Sequence, residues 1–101
     1  MKMIINGKTY NTDTATMLGE WSNGYPQSDF RYCEETLYKK KTGEFFLYGD
    51  GGPMSKYSRC CGNDYSYGSA IIPLLEEDAK EWAEAKLDAD EYCLIFGEPD
   101  E

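Results

Sequence analysis

Histidine is absent from this chain of 101 residues. With it go the commonest general base and the commonest imidazole ligand for zinc, so a His-dependent catalytic triad is excluded. Long apolar runs are missing too, and none approaches the roughly 20 residues that a membrane-spanning helix needs. The opening Met1 to Ile5, followed at once by Asn6-Gly7, is too short for a secretory signal. No lipidation motif is present either, so the cytoplasm is the expected compartment. Gly49-Asp50-Gly51-Gly52 has the glycines of a phosphate cradle without the Lys-Ser/Thr ending or a dinucleotide spacing, and Asp50 would repel phosphate. A turn after a strand accounts for it better. No twelve-residue calcium loop surrounds Asp50 or Asp64, and no internal repeat is found.

What the chain has is charge of one sign at one end. Residues 76 to 101 carry eleven acids against Lys80 and Lys86, a net of −9 that equals the whole-chain value. Residues 1 to 75 balance, with eight acids and eight Lys or Arg. An anionic surface repels nucleic-acid phosphates and anionic lipid headgroups, so direct nucleic-acid or membrane binding is not expected. The partner should be a basic protein, or one whose site ordinarily receives nucleic acid. Acidic helices also serve solubility, but solubility needs charge anywhere, whereas steering toward a basic groove needs it on one side. The acids sit at helix-surface spacing, which a solvated face explains better than paired general acid and base chemistry. The chain is therefore not expected to be an enzyme.

The length fits one domain over residues 1–101. Asn6-Gly7 between Met3-Ile4-Ile5 and Lys8-Thr9-Tyr10 predicts a type I′ hairpin. Threonine-rich alternation predicts a strand within Thr12 to Trp21, and Ser22 to Asp29 reads as a loop. Between Phe30 and Tyr48, Lys41-Thr42-Gly43-Glu44 predicts a second hairpin. A glycine-bulge turn would pair Tyr38 with Phe46, and a plain two-residue loop would pair Lys41 with Glu44; a slip of one residue exchanges the two faces. Residues 49 to 69 read as a long irregular loop, and Ala70-Ile71-Ile72 as a strand that Pro73 ends.

Two helices are predicted to follow. One runs from about Glu76 to Leu87 with Ala79, Trp82, Ala83 and Leu87 on a single stripe. In the second, Asp88 caps the start, Glu91 completes a capping box, Tyr92, Ile95 and Phe96 are buried, and Gly97 stops it. Pro99 then opens an acidic tail. The fold class is α+β: an antiparallel sheet of four or five strands with two C-terminal helices packed on one face.

Cys33, Cys60, Cys61 and Cys93 are expected to be free thiols in a reducing compartment. They could instead gather zinc, although the usual C-x₂-C spacing is absent. Ten of the fifteen aromatic residues fall between Tyr25 and Tyr67, and of the loop tyrosines among them, Tyr25, Tyr65 and Tyr67 suit an interface, because no strand periodicity demands them.

Three stretches carry a resemblance: Asn6 to Thr12, Leu37 through Tyr57, and Ala79 to Glu84 continuing to Ile95-Phe96-Gly97. In these the chain resembles small acidic proteins carried by mobile genetic elements of Firmicutes, some of which are anti-CRISPR inhibitors of the type II RNA-guided DNA nuclease. The resemblance rests on overall pattern and transfers no functional residue. It implies a mode, occupation of the basic surface that would receive DNA or guide. The expected function is then a non-enzymatic, nucleic-acid-mimicking inhibitor of a CRISPR effector nuclease. Its partner-binding residues would be Glu76, Glu77, Asp78, Glu81, Glu84, Asp88, Asp90 and Glu91 with Tyr65 and Tyr67, and it would need no cofactor. The alternative is a zinc-stabilised regulatory or structural protein dependent on the four cysteines.

Overall fold

Asn6 at φ 52° and Gly7 at φ 78° reverse the chain between β1 (Lys2–Ile5) and β2 (Lys8–Asn11). Both residues tolerate the left-handed region that a type I′ turn needs, so this hairpin forms as the dipeptide predicts. In the computed structural model, residues 1–62 and 64–98 are described, Cys61 by its backbone alone. Next come β3 (Thr16–Ser22), β4 (Cys33–Lys39), β5 (Phe45–Gly51), β6 (Arg59–Cys61), β7 (Asp64–Ser66), β8 (Gly68–Leu74), α1 (Glu76–Lys86) and α2 (Ala89–Phe96). The main sheet has four antiparallel strands in the order β3-β4-β5-β8. The class is α+β, with both helices at the C-terminal end of the described residues.

The third strand begins four residues later than the threonine pattern suggests. The Asn11 side chain accepts from the Asp13 amide at 2.9 Å, and its carbonyl accepts from Thr14 and Ala15. That local bonding makes 12–15 a turn. At the β4–β5 hairpin the glycine-bulge register is the one adopted. Gly43, at φ 94°, donates to the Lys40 carbonyl, Lys40 donates to Glu44, and Tyr38 stands opposite Phe46.

This register sorts the sheet into two faces. On one, Leu37, Phe45 and Leu47 pack under Ala79, Trp82 and Ala83 of α1, with Trp21, Leu74, Leu87, Tyr92 and Phe96 around them. On the other, Phe46 and Ile71 pack with Tyr10 beneath the β1–β2 hairpin. The helix stripes lie on one sheet face as their spacing predicts, although Ile95 is only half-buried and α2 has no fully buried residue.

Pro73 does not end the sheet. It pairs with Phe46, and Leu74 pairs beyond it with Phe45. The strand order makes β8 an edge strand, where a missing N–H is tolerated. The segment from Gly49 to Ser69 is likewise more regular than its glycines suggest. Its first three residues extend β5, β6 and β7 pair antiparallel with each other, and β8 starts at Gly68. The remainder is tied down by Gly52 donating to the Tyr32 carbonyl, Met54 donating to the Phe30 carbonyl, and the Ser55 hydroxyl donating to the Gly52 carbonyl, each at 2.8 Å.

Tyr57 packs onto Gly49 because that residue has no side chain: a Cβ there would collide with the tyrosine Cζ and its hydroxyl oxygen. The Tyr57 hydroxyl donates to the carboxylate of Glu35, a residue with 0% exposure. Trp82 Nε1 donates to the same carboxylate at 3.2 Å, and Lys56 Nζ lies 2.7 Å from it. Burial alone would raise the Glu35 pKa, but hydrogen bonds from Lys56, Tyr57 and Trp82 outweigh it and hold the carboxyl below the ordinary glutamate value. The same burial and the neighbouring carboxylate push the Tyr57 phenol upward.

Glu35→Leu should strand the Tyr57 and Trp82 donors, at about 1–3 kcal/mol each, in denaturant unfolding. Because the folded carboxyl titrates below the unfolded one, its contribution is present above the ordinary glutamate pKa and drains as pH falls through the lowered folded value. The acid limb of a stability–pH curve should therefore be shallower in Glu35→Gln than in the native protein. Gly49→Ala should cost about 1–3 kcal/mol or more by displacing Tyr57.

Candidate functional site

Along α1, Ala79, Trp82 and Ala83 are buried. At 100° per residue, Glu77, Glu81 and Glu84 fall on the opposite crest and Asp78 on its flank, while Glu76, at the first position of the helix, lies nearer the side of Ala83. All five are exposed, as are Asp88, Asp90 and Glu91 at the start of α2. The two helices thus place all eight expected acids on one layer of the molecule.

Local helix chemistry explains part of this crowding. Glu76, Glu77 and Asp78 occupy the first turn of α1, and Asp90 and Glu91 that of α2, where the macrodipole stabilises anions. Asp88 caps α2, accepting from the Glu91 amide at 2.8 Å. Half of the expected capping box forms, since no return bond from the Glu91 carboxylate is present among the described residues. Glu81 and Glu84 have no such role, so their charge is free of any structural duty in the helix.

Among the described residues no salt bridge involves any of the eight acids, and the hairpin lysines Lys8 and Lys40 pair with Glu44 instead. The two lysines of the acidic segment turn onto rings: Lys86 Nζ sits 3.8 Å from the centroid of Trp21, and Lys80 Nζ 5.8 Å from that of Phe96. Asp100 and Glu101, with Pro99, lie outside the described residues.

Between the helices an open depression of about 270 Å³ is lined mainly by Ala83, Leu87, Ala89, Tyr92 and Cys93, with Glu84 and Asp88 at its rim. Leu94, on the opposite side of α2 from these lining residues, is 87% exposed. The acidic layer therefore combines anions with an apolar seat.

The tyrosines predicted to accompany these acids are elsewhere. Tyr65 is exposed on β7, opposite Cys60. Tyr67 follows β7 and donates its hydroxyl to the Asp29 carbonyl at 3.4 Å. Its ring lines a second depression with Tyr32, Tyr48 and Asp50, on the sheet face away from the helices. Tyr25 lies under the Arg31 guanidinium, 4.2 Å from its ring centroid.

Cys33 is buried on β4, Cys60 exposed on β6 and Cys93 half-buried on α2, all three as free thiols. Among the described residues no group of three or more His, Cys, Asp or Glu is arranged to hold a metal ion. The side chain of Cys61 lies outside the described residues.

Sequence reasoning assigned all surplus charge to the C-terminal segment and missed Glu20, Glu34 and Asp50. These three share the sheet face opposite the helices, as the pairs Glu20↔Thr36 and Glu34↔Asp50 require. The signal was their matching parity with Thr36 and Tyr48, readable only once the register was known. No protein-family model, curated protein or solved structure matches this chain. No helix among the described residues is long and apolar enough to cross a membrane.

The cap and charge of Asp88 can be separated. Asp88→Asn should keep the melting temperature near native because asparagine caps equally well, whereas Asp88→Ala should lose about 1 kcal/mol in thermal or denaturant unfolding.

Proposed function

We propose that this protein is a non-enzymatic inhibitor that binds the basic, nucleic-acid-receiving surface of a CRISPR effector nuclease through its two C-terminal helices. The observation that carries the reading is the exposed crest of Glu77, Glu81 and Glu84 on α1, with Asp88, Asp90 and Glu91 exposed at the start of α2, none of them in a salt bridge among the described residues, while Lys80 and Lys86 lie over aromatic rings. A row of exposed carboxylates without counter-ions resembles a phosphate strand to a cationic cleft and accelerates encounter with it. The depression at Leu87 and Tyr92 supports the same mode by offering an apolar side chain of that basic partner a seat between anions. The choice of nuclease comes from the resemblance in three stretches of the sequence, and the electrostatic geometry is compatible with it.

Glu81→Lys combined with Glu84→Lys is the sharpest test, because neither residue caps a helix or occupies a first turn. With the circular dichroism spectrum unchanged, association with a purified type II effector nuclease should slow on the order of tenfold or more. Binding of the native protein should weaken as ionic strength rises from low to physiological. Native-like inhibition by the double variant, or binding indifferent to salt, would discard the reading.

A further inference from the structure

The sheet face turned away from the helices is covered by the β1–β2 hairpin around Phe46 and Ile71, with Tyr38 and Tyr48 packed against that cluster. Beyond that cover lies an open depression of about 270 Å³ walled by Tyr32, Tyr48, Tyr67, Asp50 and Ser69. We propose that this depression receives an arginine side chain from a protein partner, the guanidinium bonding Asp50 and lying against the tyrosine rings. The proposal is independent of the helix-layer reading, because the two surfaces lie on opposite faces of the sheet.

Three observations converge on it. First, Asp50 stands directly opposite Glu34 on the neighbouring strand, an arrangement of like charges that destabilises a sheet unless a cation intervenes. Burial, and then the Glu34 charge, raise the Asp50 pKa, the direction expected when a counter-charge is missing. Second, the sheet itself places no cation on this face among the described residues. The four strands of the sheet contain one Lys or Arg, Lys39, and its pairing with Phe45 puts it on the helix side. Among the described residues no salt bridge reaches Glu20, Glu34 or Asp50. Third, the walls are aromatic and two of the rings are hydrogen-bonded. Tyr32 is buried and its hydroxyl donates to Glu34, while Tyr67 is tethered by its hydroxyl to the Asp29 carbonyl.

A carboxylate flanked by tyrosine rings suits a planar cation that offers several donors in one plane and stacks on aromatic faces. Arginine has both properties; the lysine ammonium is a compact, strongly hydrated point charge. The strand pair leaves Glu34 near enough to Asp50 to share the neutralisation, so occupancy would also relieve the repulsion built into the empty sheet.

The test is amide-resonance titration of the full chain with a short Gly/Ser peptide carrying one central arginine, and with the same peptide carrying citrulline or lysine instead. The arginine peptide should shift the amides of Asp50, Gly51, Gly68 and Ser69. Citrulline, with the same shape and no charge, should not shift them, and lysine should bind more weakly than arginine. Asp50→Asn should weaken arginine binding about tenfold or more, as expected for loss of a charge-assisted hydrogen bond. Its melting temperature should stay the same or rise, since the like-charge pair is gone. Tyr67→Leu, at a residue that is 46% exposed, provides a second variant that should weaken binding while remaining folded. Absence of shifts, equal shifts with citrulline, shifts confined to α1 and α2, or undiminished binding by both variants would overturn the proposal.

Discussion

A glutamate with no solvent exposure sits where three parts of the chain meet. Glu35 belongs to β4, its carboxylate accepts from Tyr57 of the glycine-rich segment and from Trp82 of α1, and Lys56 closes over it from solvent. A buried carboxylate is costly unless its lone pairs are occupied, and among the described residues no buried side-chain polar atom is left without a partner. The helix layer and the loop are thus fastened to the sheet by the same anion. Gly49 belongs to this arrangement, since only an absent side chain lets Tyr57 lie close enough to reach Glu35.

The surface follows from how that interior is built. Because α1 docks through Ala79, Trp82 and Ala83, its opposite crest necessarily faces water, and the acids there need no partner for the helix to be stable. Lys80 and Lys86 cover the rings of Phe96 and Trp21 at the margin of the same docking surface, their stems able to lie along apolar area. Charge separation in this protein is therefore a packing outcome: aromatic residues at the seam draw the cations inward and leave the anions outermost.

Local chemistry was readable from the chain. Asn6-Gly7, the turn at Gly43, the Ala79/Trp82/Ala83 stripe, the Asp88 cap and the Gly97 stop each rest on a residue and its near neighbours, and each is found. The sheet with two helices on one face followed from them. What escaped depends on partners distant in sequence. Nothing within Cys33-Glu34-Glu35-Thr36 distinguishes the acid that is sealed in from the one beside Tyr32, because the bonds deciding it come from 22 and 47 residues away. Pro73 looked like a terminator because edge position is a property of strand order. Tyr67 was expected at the acidic interface because no strand periodicity demanded it, whereas strand alternation places Asp50 and Tyr48, with which it lines a depression, on the face away from the helices.

The shared anion also couples assembly steps that could otherwise be separate. If the helix docked before Tyr57 closed, or the reverse, Glu35 would leave water with part of its bonding unmet. Each event lowers the cost of the other, so sheet, loop and helix are driven to consolidate together, and a protein this small acquires cooperativity from one side chain at their junction.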